Sequence, residues 1–100
     1  MSKESSPVFD ALSDADCRAI IRAIGRPLTA REVATRCDLP LSTAYRKLDA
    51  LQETPLVEQT YRLRERGKHP QQYQRSADSL LVRFPDERVE VTVVPHALVD

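Results

Sequence analysis

The stretch Leu41-Ser42-Thr43-Ala44-Tyr45-Arg46-Lys47-Leu48-Asp49-Ala50-Leu51 decides how the rest of the chain is read. Set on a helix at roughly 100° per residue, it gathers Ala44, Leu48 and Leu51 on one side and Ser42, Tyr45, Arg46 and Asp49 on the other. The first side is suited to a core. The second carries a hydroxyl, a phenol and a guanidinium on one strip, groups that hydrogen-bond to base edges and to phosphates. For an isolated helix of this length a solvated strip is as good a reading, so the flanking segments carry the decision.

Upstream, two capped helices lead into it. Ser13 and Asp16 make a Ser-x-x-Asp variant of the capping box, Cys17, Ile20, Ile21 and Ile24 recur at i, i+3, i+4, i+7, and Gly25 stands where a helix stop is expected. Val8, Phe9 and Leu12 extend the apolar character further upstream, as a short helical turn that packs on the domain or on a partner chain. Thr29 and Glu32 make a second capping box, and Ala30, Val33, Ala34 and Cys37 repeat the core stripe over a short helix that ends near Cys37-Asp38. Pro40 suits the first turn of the next helix, where its missing N–H costs nothing. Two short amphipathic helices joined by a brief turn, the second with a polar outer face, make a helix-turn-helix pattern, and Ala30, Ala34 and Ala44 permit close crossing.

Downstream, Pro55 stops the helix. Leu56 to Arg64 reads as a strand with Val57, Tyr61 and Leu63 on one side, Arg66-Gly67-Lys68-His69-Pro70 carries turn residues, and Gln72-Tyr73-Gln74-Arg75 returns as the second strand of a hairpin. A second hairpin follows, with Leu80, Val82 and Phe84 alternating outward, Pro85-Asp86-Glu87-Arg88 turning, and Val89, Val91 and Val93 alternating back. Its apolar face needs a cover, from the helices or from the same face of a second subunit.

At 100 residues the chain is one domain, and its composition, 41% hydrophobic and 30% charged, is that of a soluble globular protein. It has no apolar run near the roughly 20 residues that span a bilayer and no apolar leader at its start, which predicts a cytoplasmic protein. Formal net charge is zero, but the charge is unevenly spread. Arg62, Arg64, Arg66, Lys68 and Arg75 face only Glu58 and Glu65 just after the polar helix, whereas Asp78, Asp86, Glu87, Glu90 and Asp100 outnumber Arg83 and Arg88 further on. Acidic residues are repelled by phosphate, so the C-terminal hairpin is expected to lie away from a nucleic acid.

In order and spacing, these segments resemble the winged helix-turn-helix DNA-binding domain. The residues that carry the resemblance are Leu28-Thr29-Ala30-Arg31-Glu32-Val33-Ala34, Leu39-Pro40-Leu41-Ser42-Thr43-Ala44-Tyr45-Arg46-Lys47-Leu48, and Leu51 with Leu56-Val57-Glu58 leading into the wing. The chain looks most like the small ArsR-like or MarR-like transcriptional regulators, the short archaeal ones in particular. The resemblance implies an α+β fold: a three-helix core with a β-hairpin wing over residues 10–76, here followed by a C-terminal strand extension over 79–95. It also implies a homodimer on double-stranded DNA, with Ser42, Thr43, Tyr45 and Arg46 at positions that face the duplex and Arg64, Arg66, Lys68 and His69 at the wing tip. Two features depart from the family. Position 41 is Leu where a polar residue is common, and the chain ends in strands where many ArsR-like proteins carry a dimerising helix.

Cys17 and Cys37 raise the question of a metal sensor, but they stand far apart on apolar stripes without adjacent ligands, and buried core thiols are the expectation. His69 in a turn suits a phosphate contact better than a ligand or a base, and His96 has no evident partner. No nucleophile–base set, metal-ligand pair or phosphate-cradling glycine loop occurs, so neither an enzyme nor a cofactor is expected. The sequence thus predicts a sequence-specific DNA-binding transcriptional regulator, with a winged-helix protein-interaction module as the alternative.

Overall fold

The structure, a computed structural model, describes residues 5–61 and 71–95. Four helices, α1 (Ser5–Ser13), α2 (Ala15–Ala23), α3 (Ala30–Cys37) and α4 (Leu41–Gln52), are followed by strands β1 (Val57–Tyr61), β2 (Gln71–Arg75), β3 (Ala77–Arg83) and β4 (Glu90–Pro95). β1 pairs antiparallel with β2, and β3 with β4 around a 3₁₀ turn at Pro85–Glu87. This is an α+β winged helix-turn-helix with a C-terminal hairpin, as the element order in the sequence predicts.

The core forms where the helical stripes meet. Val8, Ile20, Ile24, Val33, Ala44, Leu48 and Leu51 are all fully buried, and Cys17, Leu28, Leu56, Val57 and Tyr73 close around them. Burying one large aliphatic side chain contributes about 1.5–3 kcal/mol, so this single cluster is the main source of stability. The stripe expected along α2 holds, with Ile21 only half-buried at its edge.

Three local expectations are corrected. The upstream apolar segment is a nine-residue helix, not a single turn. Its Val8 and Ala11 reach into the core, so burial rather than propensity extends it. Ser13 does not cap α2: its hydroxyl donates to the Asp10 carbonyl at 2.8 Å, at the end of α1. Asp14 is the N-cap, its carboxylate accepting from the Cys17 amide at 2.9 Å, because Ser13 is still the last residue of α1. The wing strand also departs from its pattern. Val57 is buried but Tyr61 is 60% exposed, because the hairpin runs on past the helices that cover its start. Leu63 lies outside the described residues.

β2 is held to the helices by a one-residue bridge: the Leu28 amide donates to the Tyr73 carbonyl at 3.0 Å and the Tyr73 amide to the Leu28 carbonyl at 2.7 Å. Tyr73, 3% exposed, is thereby a core residue. In the second hairpin Leu80 faces Val93 and Val82 faces Val91. Leu80, Val91 and Val93 pack against the helical core, while Val82 and Phe84 overhang it at 38% and 75% exposure.

Candidate nucleic-acid interface

The position of α4 is fixed from its two ends and its middle. At its start the capping box on α3 is complete, with the Glu32 amide donating to Thr29 Oγ1 at 3.2 Å and the Thr29 amide to Glu32 Oε1 at 2.8 Å. α3 ends at Asp38, in the left-handed region at φ 55°. There the Leu39 amide bonds the Ala34 carbonyl at 2.9 Å and the Asp38 amide the Thr35 carbonyl at 3.3 Å, the paired closure of a Schellman turn. Asp tolerates this conformation better than branched residues, and the turn redirects the chain sharply. Pro40 then precedes the helix with extended ψ and is its N-cap, one residue earlier than expected.

In the middle of the helix, Lys47 Nζ meets Asp14 Oδ1 at 2.9 Å. The Lys47 hydrogen bond, followed by the Cys17 amide, holds the Asp14 carboxyl down to about 2 from its ordinary 3.8. Asp14 therefore starts α2 and clamps α4 to it. The clamp occupies Lys47 and leaves Arg46 as the cation of α4 without a partner among the described residues.

The opposite face of α4 is open. Ser42, Arg46 and Asp49 are exposed, Tyr45 is 48% exposed and Thr43 is half-buried, while Ala44, Leu48 and Leu51 are sealed in the core. Sequence periodicity and structure agree on all of these but Thr43, which the periodicity left unassigned. Ser42, Tyr45 and Arg46 stand on one exposed strip, and Thr43 sits at its margin.

At its C-terminal end α4 is joined to the wing. Gln52 donates to the Gln59 side chain of β1, and Thr54, 5% exposed, donates to the Leu51 carbonyl at 2.6 Å while accepting from the Leu56 amide at 3.1 Å. Burial and the nearby Asp49 carboxylate push the Tyr73 phenol up, with Gln59 opposing through a hydrogen bond and Tyr45 and Tyr61 close enough to act on it. Phenols and amides thus line the seam between α4 and the wing. Tyr61, opposite Gln71 at the far end of β1, is exposed and lies outside the core. The wing-tip residues Arg64, Arg66, Lys68 and His69 lie outside the described residues.

Two basic residues prove structural. Lys47 is the clamp described above, and Arg75 turns inward, its guanidinium donating to the Ile21 carbonyl at 3.0 Å while its amide bonds the Ile24 carbonyl at 2.8 Å. A cation over the last carbonyls of α2 complements the helix dipole. An added Cβ at Gly25 would lie 3.3 Å from Arg75 Nη2, a close approach that the end of this side chain would have to yield to. The sequence groups Arg75 with the local basic charge that follows α4, whereas its contacts with α2 are structural.

Residues 12–60 match the model of a family described as a helix-turn-helix domain. The helix-turn-helix match begins at the end of α1 and runs through α2, α3, α4 and most of β1, the elements that build and orient the open strip. No curated protein matches the chain. The helix-turn-helix match and the fold together support a DNA-binding regulator. Among the described residues no group of three His, Cys, Asp or Glu side chains is placed to hold a metal ion, and no helix is long and apolar enough to cross a membrane. Cys17 is buried and Cys37 half-buried; burial above all pushes both thiols up, Cys17 to about 11.

Proposed function

We propose that the protein is a sequence-specific transcriptional regulator of double-stranded DNA, of the ArsR-like or MarR-like kind and of the short archaeal type, acting in the cytoplasm as a homodimer. The observation that carries this reading is the exposed polar strip of α4, which the core leaves open although every apolar residue of the helix's opposite face is buried. Ser42, Thr43, Tyr45 and Arg46 enter the major groove and discriminate bases, while Arg64, Arg66, Lys68 and His69 on the wing meet backbone phosphates and set the register. Occupancy of the operator then blocks or recruits the transcription machinery. Residues 10–76 do the binding and residues 79–95 join the subunits.

The dimer is supported by where apolar surface is left over. Val8 and Ala11 are consumed by the chain's own core, whereas Leu81, Val82, Phe84 and Val94 of the C-terminal hairpin are all at least 38% exposed. Leu81 and Val94 stand on the outward face of the hairpin, opposite Leu80, Val91 and Val93, which the helical core covers. A two-fold pair of hairpins supplies the second cover and matches the two-fold symmetry of most operators.

Binding to mixed-sequence duplex DNA, measured at low and moderate salt, tests the reading. A regulator of this kind binds at low salt and weakens steeply as salt rises, because neutralised phosphates release counterions. No binding at low salt contradicts it and returns the chain to the protein-interaction class.

A further inference from the structure

A second basic surface lies outside the strip of α4. The loop before α3 and the outer face of α3 enclose an open groove of about 440 Å³ lined by Arg26, Leu28, Arg31, Glu32, Thr35 and Arg36. Arg26, Arg31 and Arg36 are all exposed, and none has an ion-pair partner among the described residues. The one carboxylate of the groove, Glu32, is engaged by the Thr29 amide in the capping box at 2.8 Å.

Exposed arginines on a helix are ordinarily a solvated face interleaved with acids. This chain has 15 acidic residues to match its 15 basic ones, yet within this concavity three guanidiniums face a single committed carboxylate. Guanidinium forks suit phosphate oxygens in geometry as well as charge, and Arg31 sits in the first turn of α3 beside Arg26 of the loop. The Thr35 hydroxyl offers a further donor, and Leu28 floors the groove with apolar surface.

We propose that the groove between the 26–28 loop and α3 is a phosphate-binding site, separate from the strip of α4. Its ligand is a phosphate group, presented either by the DNA backbone flanking the operator or by a free phosphate compound. The first source rests on the DNA-binding reading above; the second does not.

The double substitution Arg31→Gln with Arg36→Gln removes two guanidiniums, keeps side-chain length and alters only exposed positions. Circular dichroism checks that the fold is kept. One arm measures duplex affinity against salt for wild type and variant. If the backbone is the ligand, the variant loses affinity equally for operator and random DNA, and the slope of log affinity against log salt falls by about 1.8, roughly a tenfold smaller change between 50 and 200 mM salt. The other arm measures thermal stability of wild type in inorganic phosphate against chloride at equal ionic strength. If a free phosphate compound is the ligand, phosphate raises the melting temperature of wild type and not of the variant. An unchanged salt slope together with no phosphate-specific stabilisation overturns the proposal. If the protein binds no DNA at all, the DNA-binding reading fails while the phosphate arm still decides the groove.

Discussion

Replacing Thr54 by valine tests how the wing is fixed to the helix it accompanies. Valine keeps the shape and the methyl of threonine but removes the hydroxyl that ties Leu51 to Leu56 across the end of α4. The Leu51 carbonyl retains a second donor, the Thr54 amide at 3.0 Å, so the group chiefly orphaned is the Leu56 amide. A buried polar group left unpaired costs about 1–3 kcal/mol, and the weakened Leu51 acceptor adds a smaller amount. The expected loss is therefore about 2 kcal/mol, a fall in Tm of roughly 8–16 °C for a domain of this size. Thr54→Ser is the control, because it keeps both hydrogen bonds and gives up one methyl, worth about 0.8 kcal/mol. Thermal unfolding of the three proteins, followed by far-ultraviolet circular dichroism, should order them wild type, serine, valine. A valine variant at least as stable as the serine variant would refute the claim that hydrogen bonding closes this junction.

The Asp14 clamp predicts a pH dependence. Because Lys47 and the Cys17 amide hold its folded-state value near 2 against 3.8, the unfolded state binds the proton more readily. The clamp's contribution is complete above about pH 4 and is lost as pH falls towards 2. Stability curves of wild type and Asp14→Asn should converge over that window, and curves that stay parallel contradict the clamp. The thiols are expected to be core residues: Cys17→Ser combined with Cys37→Ser should leave DNA affinity unchanged with or without zinc, while chemical denaturation reports lower stability. A zinc-dependent change in affinity that the double substitution abolishes would instead reveal a sensor site.

What the sequence discloses and what it hides divide by the range of the interactions. The buried and open sides of α4 follow from periodicity alone, and the Thr29–Glu32 box is closed by residues three apart, so both were legible. The start of α2 was off by one because Ser13 and Asp14 can each cap a helix, and only the neighbouring end of α1 decides which one does. The roles of Lys47 and Arg75 depend on partners 33 and 54 residues away, and a count of local charge cannot see them. The exposure of Tyr61 and the burial of Tyr73 were hidden for a similar reason. Alternation shows that a strand has two faces, but not how far along it the helices extend, and the burial of Tyr73 needs the bridge to Leu28. The arginine groove was likewise invisible, since Arg26 joins the α3 arginines only once the loop folds back beside the helix.

The central claim, that the open strip of α4 reads base edges, is tested most directly by Arg46→Ala on a selected operator and on random duplex DNA. Arg46 is exposed in the second turn of α4, where its fork can reach a guanine edge. Losing such a bidentate contact costs roughly 1–3 kcal/mol, so operator affinity should fall about 5–150-fold with a much smaller effect on random DNA. Arg66→Ala or Lys68→Ala, at the proposed phosphate contacts, should instead weaken both DNAs alike and lower the salt slope by about one. An equal loss on operator and random DNA for Arg46→Ala would contradict the claim and reduce α4 to a backbone contact.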